Sequence, residues 1–242
     1  MKKKSAACTA QLPWPPLIRG TLVKRYKRFL ADVVLDDGQE VVAHCPNSGS
    51  MAACKEPGRP VYLSSHDNPK RKLKFTWELI EMPTSLVGVN TLVPNRLVAL
   101  AAANGDVPEL AGYDHVATEV KVSAHSRLDL KLSGGGRSDC YIEVKNCTLV
   151  EDGVARFPDA RTVRGQKHLD ELQHLKEGGA RAMMFFVVQR CDAQTFSPAY
   201  EIDPEYGARL RQVVSQGVEI VVYDVAIDLK GIALRRALPF QL

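Results

Sequence analysis

Apolar and polar side chains alternate along residues 128–132 and 140–145, two short segments separated by a loop that contains three consecutive glycines. Alternation with a period of two is typical of β-strands that bury one face, and the glycine-rich connection predicts a β-hairpin. The apolar positions share one face of this hairpin and the polar positions the other: Leu128, Leu130, Leu132, Ile142 and Val144 against Asp129, Glu143 and Lys145. The pattern therefore predicts a polar hairpin face with two carboxylates and one lysine.

This polar face has the composition of a metal-dependent hydrolytic site. A hairpin that folds symmetrically about Gly136 places Asp129 directly opposite Glu143, with their Cβ atoms about 5 Å apart. Two like charges at that distance destabilise a sheet, and a hard cation such as Mg²⁺ or Mn²⁺ relieves the repulsion. We therefore interpret Asp129 and Glu143 as candidate metal ligands and Lys145 as a cation that orients water or offsets charge on a phosphate. The competing interpretation is a solvated strand face that merely alternates acids and bases.

The second half of the chain alternates between helical and strand patterns. A continuous apolar run over residues 182–188 is typical of a buried central strand. The hairpin continues into a β-α-β-α-β series, which predicts an α/β domain with a mixed central sheet over residues 85–242. The other predicted elements are helices at 94–104, 166–176 and 203–216 and strands at 118–123 and 218–223.

The first part of the chain has a β pattern instead. Residues 21–35 are rich in strand formers and lead into a turn at Asp36, Asp37 and Gly38. Four or five short strands predict a small barrel or sandwich over residues 13–84, with an OB-like barrel as the leading form. Residues 1–12 lack periodicity and predict a flexible tail. The other predicted strands are 40–44, 59–64 and 75–81.

Charge is unevenly distributed along the 242 residues. The chain has a net charge of +4, but residues 1–84 hold 14 Lys/Arg against 8 Asp/Glu, whereas the remainder holds 18 against 20. A basic first domain beside a weakly acidic second domain that contains a carboxylate pair indicates a surface that binds a polyanion next to a metal site. The chain has no export signal or apolar membrane span, so we expect a cytoplasmic protein that does not enter a membrane. Its oligomeric state stays open, with a homodimer as one possibility.

Two basic clusters in the first domain are candidate DNA contacts. Lys24, Arg25, Tyr26, Lys27 and Arg28 interleave cations with an aromatic ring on a predicted strand, which suits phosphate contacts and base stacking. A second cluster lies in a predicted loop between strands, where nucleic-acid contacts are common, and consists of Lys70, Arg71 and Lys72. The alternative is that both clusters serve only solubility.

Six sequence blocks carry a resemblance to a known family. They are residues 25–32 (RYKRFLAD), 44–49 (HCPNSG), 67–68 (DN), 76–79 (TWEL), 89–91 (VNT) and 164–169 (RGQKHL). Together they resemble the bacterial sugar fermentation stimulation protein family, from about residue 14 to the C-terminus. The resemblance implies an N-terminal OB-like domain, a C-terminal domain like the PD-(D/E)-x-K, restriction-endonuclease-like nucleases, DNA binding, and a role in regulating sugar (maltose) metabolism genes.

The resemblance also implies a set of site residues. The nuclease-like pattern falls on Asp129, Glu143 and Lys145, with Glu119 and Gln166 as auxiliaries. Gln166 opens a predicted helix whose N-terminus carries partial positive charge, so Gln166 and its neighbour Lys167 are candidates to contact a phosphate.

Two functions follow as hypotheses, with the DNA-binding and metal chemistry indicated by these residues and the link to sugar metabolism implied by the family resemblance alone. The first is a DNA-binding protein of the sugar fermentation stimulation type whose metal-dependent, nuclease-like site cleaves phosphodiester bonds with Mg²⁺ or Mn²⁺. The second is a non-catalytic DNA-binding regulator of sugar (maltose) metabolism genes. The absence of a recognisable helix-turn-helix is awkward for sequence-specific regulation. DNA is the expected partner in both, with its strandedness undetermined.

Overall fold

A closed β-barrel forms the first part of the molecule. The computed structural model describes residues 10–123 and 126–242. After a two-residue strand, β1 (Leu12–Pro13), six strands form one sheet: β2 (Leu17–Tyr26), β3 (Leu30–Leu35), β4 (Glu40–His44), β5 (Pro60–Ser65), β6 (Phe75–Met82) and β7 (Ser85–Gly88). They pair in the order β4-β3-β2-β5-β6-β7, and a parallel pairing of β4 with β6 closes five of them into a barrel. The small barrel expected from the sequence is confirmed.

The strand-forming stretch over residues 21–35 is divided between β2 and β3. The prediction that Lys27 and Arg28 lie on a strand is wrong, because they lie in the turn between these two strands. The chain reverses at residues 27–29, and Tyr26 pairs antiparallel with Leu30. Lys27 and Arg28 both have positive φ angles, 47° and 62°, which non-glycine residues rarely adopt. The reversal contains none of the glycine, asparagine or aspartate residues that usually signal such a turn, so the sequence does not indicate where β2 ends and β3 begins.

A seven-stranded sheet forms the centre of the second domain. Its elements are α1 (Val93–Asn104), β8 (His115–Lys121), β9 (Arg127–Ser133), β10 (Cys140–Cys147), β11 (Leu149–Glu151), β12 (Val154–Phe157), α2 (Val163–Glu177), β13 (Arg181–Val188), β14 (Thr195–Pro198), α3 (Pro204–Ser215), β15 (Glu219–Ile227) and β16 (Gly231–Ala237). The strand order is β1-β16-β15-β13-β10-β9-β8. Strands β10, β13 and β15 are parallel, and the outer pairings are antiparallel. The expected mixed central sheet is confirmed.

Helices cover both faces of this sheet. Helix α1 packs on one face through residues such as Leu97 and Val98, and helices α2 and α3 pack on the other through residues such as Leu169 and Leu210. Strand β13 lies between the two layers, and its residues 182–188 are all buried. The continuous apolar run of the sequence therefore corresponds to a strand with both faces covered.

Several elements were not foreseen from the sequence. Strands β11, β12 and β14 form a separate three-stranded sheet, and β16 adds an antiparallel edge to the central sheet. The predicted tail falls largely outside the described residues, but Leu12 pairs with Ile232 and Trp14 packs against the core of the second domain. Within residues 10–123 and 126–242, no helix is long and apolar enough to cross a membrane.

Candidate active site

The β9–β10 hairpin brings the two predicted carboxylates together. Cys140 pairs with Leu132 and Ile142 with Leu130, so the hairpin is centred on Gly136 as the sequence predicted. Asp129 and Glu143 follow as the next opposed pair, at the point where the regular pairing ends. There Asp129 bonds to the neighbouring strand through its side chain, because its Oδ2 accepts a hydrogen bond of 2.7 Å from the backbone N–H of Val144.

The glycines of the hairpin loop have a steric role. Gly134, Gly135 and Gly136 all have positive φ angles. A Cβ atom on Gly135 would lie 2.0 Å from the carbonyl oxygen of Gly112, too close for any side chain. The loop therefore requires glycine at this position, and its geometry fixes the register that sets Asp129 opposite Glu143.

Glu143 is a buried carboxylate with one satisfied and one unsatisfied oxygen. Its residue exposure is 2%, and its Oε1 accepts hydrogen bonds from Lys145 Nζ, at 2.6 Å, and from His168 Nδ1. Its Oε2 is buried and has no hydrogen-bond partner. Burial alone raises the pKa of Glu143, but the charge of Lys145 and the hydrogen bond from His168 outweigh it and hold the pKa below its usual value. Glu143 is thus a carboxylate with one buried oxygen that has no hydrogen-bond partner.

Asp129 has the opposite electrostatic behaviour. Burial, and secondarily the charge of Glu143, raise its pKa to about 6. The hydrogen bonds from Val144 and from Asn95 Nδ2 of α1, at 2.7 Å, offset this only in part. A positive charge placed between the two carboxylates would favour the ionised form of both.

His168 completes the cluster and was not singled out from the sequence. It lies on α2, where Arg164 Nε donates to its Nε2 at 3.4 Å. Because Nε2 accepts this bond, we assign the ring proton to Nδ1, which then donates to Glu143. Its helical spacing next to Leu169 and Leu172 places His168 on the inward face of α2, and this spacing is the signal that could have identified it.

The cluster lies in a cavity of about 610 Å³ between the barrel and the α/β domain, which we call the interdomain cleft. Asp129, Glu143, Lys145 and His168 line one side, and residues 47–50 of the barrel line the other. Besides Lys145, six cations line the cleft: Arg25, Arg28, Lys55, Arg156, Arg161 and Arg164. Only three carboxylates face them, Asp129, Glu143 and Asp159, so the cleft is predominantly positive around an acidic centre.

The barrel loop over residues 47–50 is held rigidly above the cleft. Arg25 donates from its guanidinium to the carbonyl oxygens of Asn47, Gly49 and Ser50, at 2.7, 2.9 and 3.2 Å. From the other domain, Asp159 accepts hydrogen bonds from Ser50 Oγ at 3.3 Å and from the backbone N–H of Met51 at 2.9 Å. Arg25 is therefore committed to holding the loop, and the loop ties the two domains together.

The donor set of the cleft fits a cation that uses few protein ligands. Among residues 10–123 and 126–242, no group of three or more His, Cys, Asp or Glu side chains is placed to hold a metal. Mg²⁺ is commonly bound by one or two carboxylates, with water and substrate phosphates completing its coordination. The unpartnered, buried Oε2 of Glu143, with Asp129 opposite, has the chemistry such a cation requires.

Comparison with known proteins assigns the family. The model of the sugar fermentation stimulation protein RE domain matches residues 92–231, and that of the SfsA N-terminal OB domain matches residues 23–89. This chain belongs to the sugar fermentation stimulation protein family. Homologues from Pelobacter propionicus and Geobacter sulfurreducens are each 54% identical, over 226 and 224 residues, and the matches cover 93% of this chain and 97% and 96% of the relatives.

A solved structure of the same family shares the whole architecture. SfsA from Pyrococcus furiosus, described as a complex with Ca²⁺, superposes with a TM-score of 0.88 at 26% identity. The match covers 96% of this chain and 98% of that one. The OB-like barrel followed by a restriction-endonuclease-like α/β domain is thus the fold of this member of the family.

The structure brings some of the sequence-predicted DNA contacts to the cleft and leaves others outside it. Of the first cluster, Arg25 and Arg28 line the cleft. Lys27 is exposed in the β2–β3 turn. Lys24 Nζ lies 3.4 Å from Asp32 Oδ2 and 5.5 Å from the centre of the Tyr26 ring.

The second cluster lies in the β5–β6 loop, away from the cleft. Lys70 and Lys72 are exposed there, whereas Arg71 donates to Thr76 Oγ1 at 2.7 Å. None of the three residues lines the interdomain cleft. Any contact that these side chains make with DNA is therefore peripheral to the carboxylate pair.

The auxiliary residues implied by family resemblance are also placed elsewhere. The Gln166 side chain donates to Asp203 at 3.3 Å and to Glu205 at 3.5 Å, at the start of α3, and does not line the cleft. Lys167 lines a second cavity beside α2, which shares Arg164 and His168 with the interdomain cleft and is not lined by Asp129, Glu143 or Lys145. Glu119 is exposed on β8. The structure therefore brings together Asp129, Glu143 and Lys145 and leaves these three residues apart from them.

Proposed function

We propose that this chain binds DNA in the interdomain cleft and cleaves phosphodiester bonds there with the help of Mg²⁺ or Mn²⁺. The observation that carries the proposal is the convergence of Asp129, Glu143 and Lys145 in a cleft whose walls are rich in arginine and lysine. Glu143 contributes a buried oxygen without a partner, which is the unusual feature of the cluster.

Each residue of the cluster has a defined role in this proposal. Asp129 and Glu143 hold the cation, and Lys145 offsets negative charge that develops on the phosphate. A bound divalent cation polarises the phosphoryl oxygen and stabilises the charge that builds up on it. His168, held by Arg164, orients the Glu143 carboxylate through Oε1 and leaves Oε2 without a hydrogen-bond partner.

The family relative supports the metal part of the proposal. Pyrococcus furiosus SfsA was solved with Ca²⁺, a hard cation that, like Mg²⁺, prefers carboxylate, carbonyl and water oxygens. The cations of the cleft support the DNA part, since lysine and arginine neutralise phosphates and release counterions when DNA binds. We therefore expect DNA affinity to fall steeply as salt concentration rises.

One observation favours a second candidate, a non-catalytic DNA-binding regulator of sugar (maltose) metabolism genes. Within the described ranges no third acidic or histidine ligand joins Asp129 and Glu143, and Lys145 and His168 already occupy one oxygen of Glu143. A cleft that holds DNA through its cations alone would keep the same surface without cleaving.

A cleavage assay separates the two candidates. The protein is incubated with single-stranded and duplex DNA in Mg²⁺, in Mn²⁺ and in EDTA, together with the variants Glu143→Gln and Lys145→Met. We expect metal-dependent products from the wild type and a loss of about 10²- to 10³-fold in rate in either variant, comparable to removing one preorganised charge-stabilising group. Glu119→Gln is the matched control, because Glu119 is exposed outside the cleft.

The remaining outcomes decide against the proposal in different ways. Salt-sensitive DNA binding without any metal-dependent product would support the regulator and reject the nuclease. An affinity for DNA that does not change with salt concentration would reject both candidates.

A further inference from the structure

A partly exposed aromatic surface lies on the barrel, adjacent in sequence to Arg28 of the interdomain cleft. Tyr26, Leu30 and His44 are paired side by side across β2, β3 and β4. The neighbouring row, Ala31 with Ala43, is fully buried inside the barrel, so the row of Tyr26 and His44 faces outward. Phe29 is 46% exposed, and its ring is stacked on His44 with 6.4 Å between centroids and 25° between planes. We call Tyr26, Phe29 and His44 the aromatic platform.

Cations surround this platform and lead to the cleft. Lys24 Nζ lies 5.5 Å from the centre of the Tyr26 ring, and its contact with Asp32 is an exposed ion pair of little strength. Lys27 and Arg28 project from the turn that precedes Phe29, and Arg28 lines the interdomain cleft. Arg28 therefore links the aromatic platform to the cleft that Asp129 and Glu143 line.

The turn that carries these cations is conformationally strained. Lys27 and Arg28 have φ angles of 47° and 62°, and the backbone N–H of Phe29 donates to the carbonyl of Lys27, two residues earlier, at 2.8 Å. Such a tight turn is rare and costs energy at non-glycine residues. Cys45, the residue after β4, also contacts the turn, because its backbone N–H donates to the carbonyl of Phe29 at 2.8 Å. The strained turn fixes Phe29 against His44.

The interdomain cleft is bounded on one side by a barrel loop. Its volume of about 610 Å³ is within the range of pockets that enclose a drug-sized molecule. The loop over residues 47–50 closes one side, and it is held by Arg25 within the barrel and by Asp159 from the other domain. Asp129 and Glu143 line this space, and Arg28 lines it on the barrel side, so a strand that passes Arg28 enters the cavity that holds the carboxylate pair.

From these observations we propose that the substrate is single-stranded DNA, whose bases stack on the aromatic platform while its backbone passes Arg28 into the interdomain cleft. This inference rests on the proposed function and specifies its substrate class. Aromatic rings interleaved with cations suit single strands, because unpaired bases expose their faces for stacking and the backbone remains accessible to positive charge. Bases in a duplex are already stacked on each other and cannot occupy the platform.

Binding measurements in EDTA test the inference without cleavage. The affinity of the protein is measured by fluorescence anisotropy for labelled oligothymidine of about 16 nucleotides, near the upper site size of one OB fold, and for a hairpin duplex of the same length. We expect the single strand to bind roughly tenfold or more tightly than the duplex. Phe29→Ala should weaken single-strand binding by about 5- to 100-fold, the effect of losing one base stack, and leave duplex binding within about twofold.

Two further variants keep the test specific. Phe29→Trp retains an aromatic face and should restore single-strand binding to near the wild-type value. Phe240→Ala removes another exposed phenylalanine, in the second domain and 40% exposed, and should change neither affinity.

Equal or tighter binding to the duplex would overturn the inference, and so would unchanged single-strand affinity in Phe29→Ala. Metal-dependent cleavage of duplex DNA that is lost in Glu143→Gln would overturn this inference and leave the proposed nuclease standing. Failure of all cleavage, with single-strand preference and dependence on Phe29 intact, would support the binding mode and reject the nuclease.

Discussion

Two buried carboxylates of the central sheet have opposite surroundings. Asp224, on β15, is 0% exposed, and Glu143, on β10, is 2% exposed. Both oxygens of Asp224 accept hydrogen bonds from guanidinium groups, Oδ1 from Arg235 Nε at 3.0 Å and Oδ2 from Arg236 Nε at 3.0 Å. Glu143 has two donors on one oxygen and none on the other. Burial of charge therefore does not by itself mark a functional site, whereas an unpartnered carboxylate oxygen beside a second carboxylate and a lysine in a cavity makes Glu143 a candidate for one.

The largest effect expected from this comparison is on stability, at Asp224. The double variant Arg235→Met with Arg236→Met leaves a buried carboxylate without its counter-charges. We expect the free energy of unfolding to fall by about 3–5 kcal/mol in urea denaturation, the usual cost of breaking a buried ion pair. Metal binding by the folded protein should not change. A loss of less than about 1 kcal/mol would show that Asp224 does not depend on its arginines.

A smaller effect is expected on metal affinity, at His168. His168→Ala removes the group that, with Lys145, fixes Oε1 of Glu143 and leaves Oε2 free. Residues that orient a metal ligand typically change affinity by about 10- to 100-fold when they are removed. We therefore expect Mn²⁺ or Ca²⁺ to bind that much more weakly in isothermal titration calorimetry.

His174→Ala is the matched control for this experiment, since His174 is exposed near the end of the same helix. It should bind the metal like the wild type. Equal weakening in both variants would mean that the loss reflects α2 as a whole and would contradict a specific role for His168.

The smallest expected effect is the pH dependence of stability at Asp129. Its folded pKa of about 6 lies above the ordinary value of 3.8, so at pH values between the two the folded chain holds a proton on Asp129 that the unfolded chain has lost. Ionisation of Asp129 therefore destabilises the fold as pH rises through this window. Relative to Asp129→Asn, the wild type should lose about 1–2 kcal/mol between pH 4 and pH 8, less than the full pKa shift implies because the carboxylate is partly exposed.

Asp228 provides a control of opposite sign for the same titration. Backbone N–H groups of Gly231 and Lys230 lower its pKa, so its ionised form stabilises the fold and this contribution disappears as pH falls through the folded pKa. Asp228→Asn should therefore lose stability relative to the wild type at neutral pH and recover in acid. If Asp129→Asn follows the same direction as Asp228→Asn, the raised pKa of Asp129 is contradicted.

The hairpin and the barrel differ in how much the sequence could predict. In the β9–β10 hairpin, apolar and polar residues alternate and the loop is a glycine run with a steric requirement. Its centre at Gly136 could therefore be predicted from the sequence. The β2–β3 turn has neither signal, because its positive φ angles fall on Lys27 and Arg28. Local patterns predict register where turn chemistry is explicit and miss it where tertiary contacts hold the turn.

The candidate site was predictable only as far as one hairpin defines it. Asp129, Glu143 and Lys145 lie within 17 consecutive residues, and strand periodicity alone places them on one face. His168 and Asn95 reach them from helices on opposite faces of the sheet, and Arg25 acts through loop carbonyls. These contacts depend on packing between distant segments, which periodicity does not specify.

The most direct test of the account is the position of a bound cation. Crystals soaked in Mn²⁺ are measured at a wavelength where manganese scatters anomalously. We predict a peak in the interdomain cleft, between Asp129 and Glu143 and within about 2.5 Å of Glu143 Oε2, the usual distance of hard cations from carboxylate oxygens. A cleft without a peak at saturating Mn²⁺, or a peak only at some other group of residues, would contradict the claim that this carboxylate pair is a metal site.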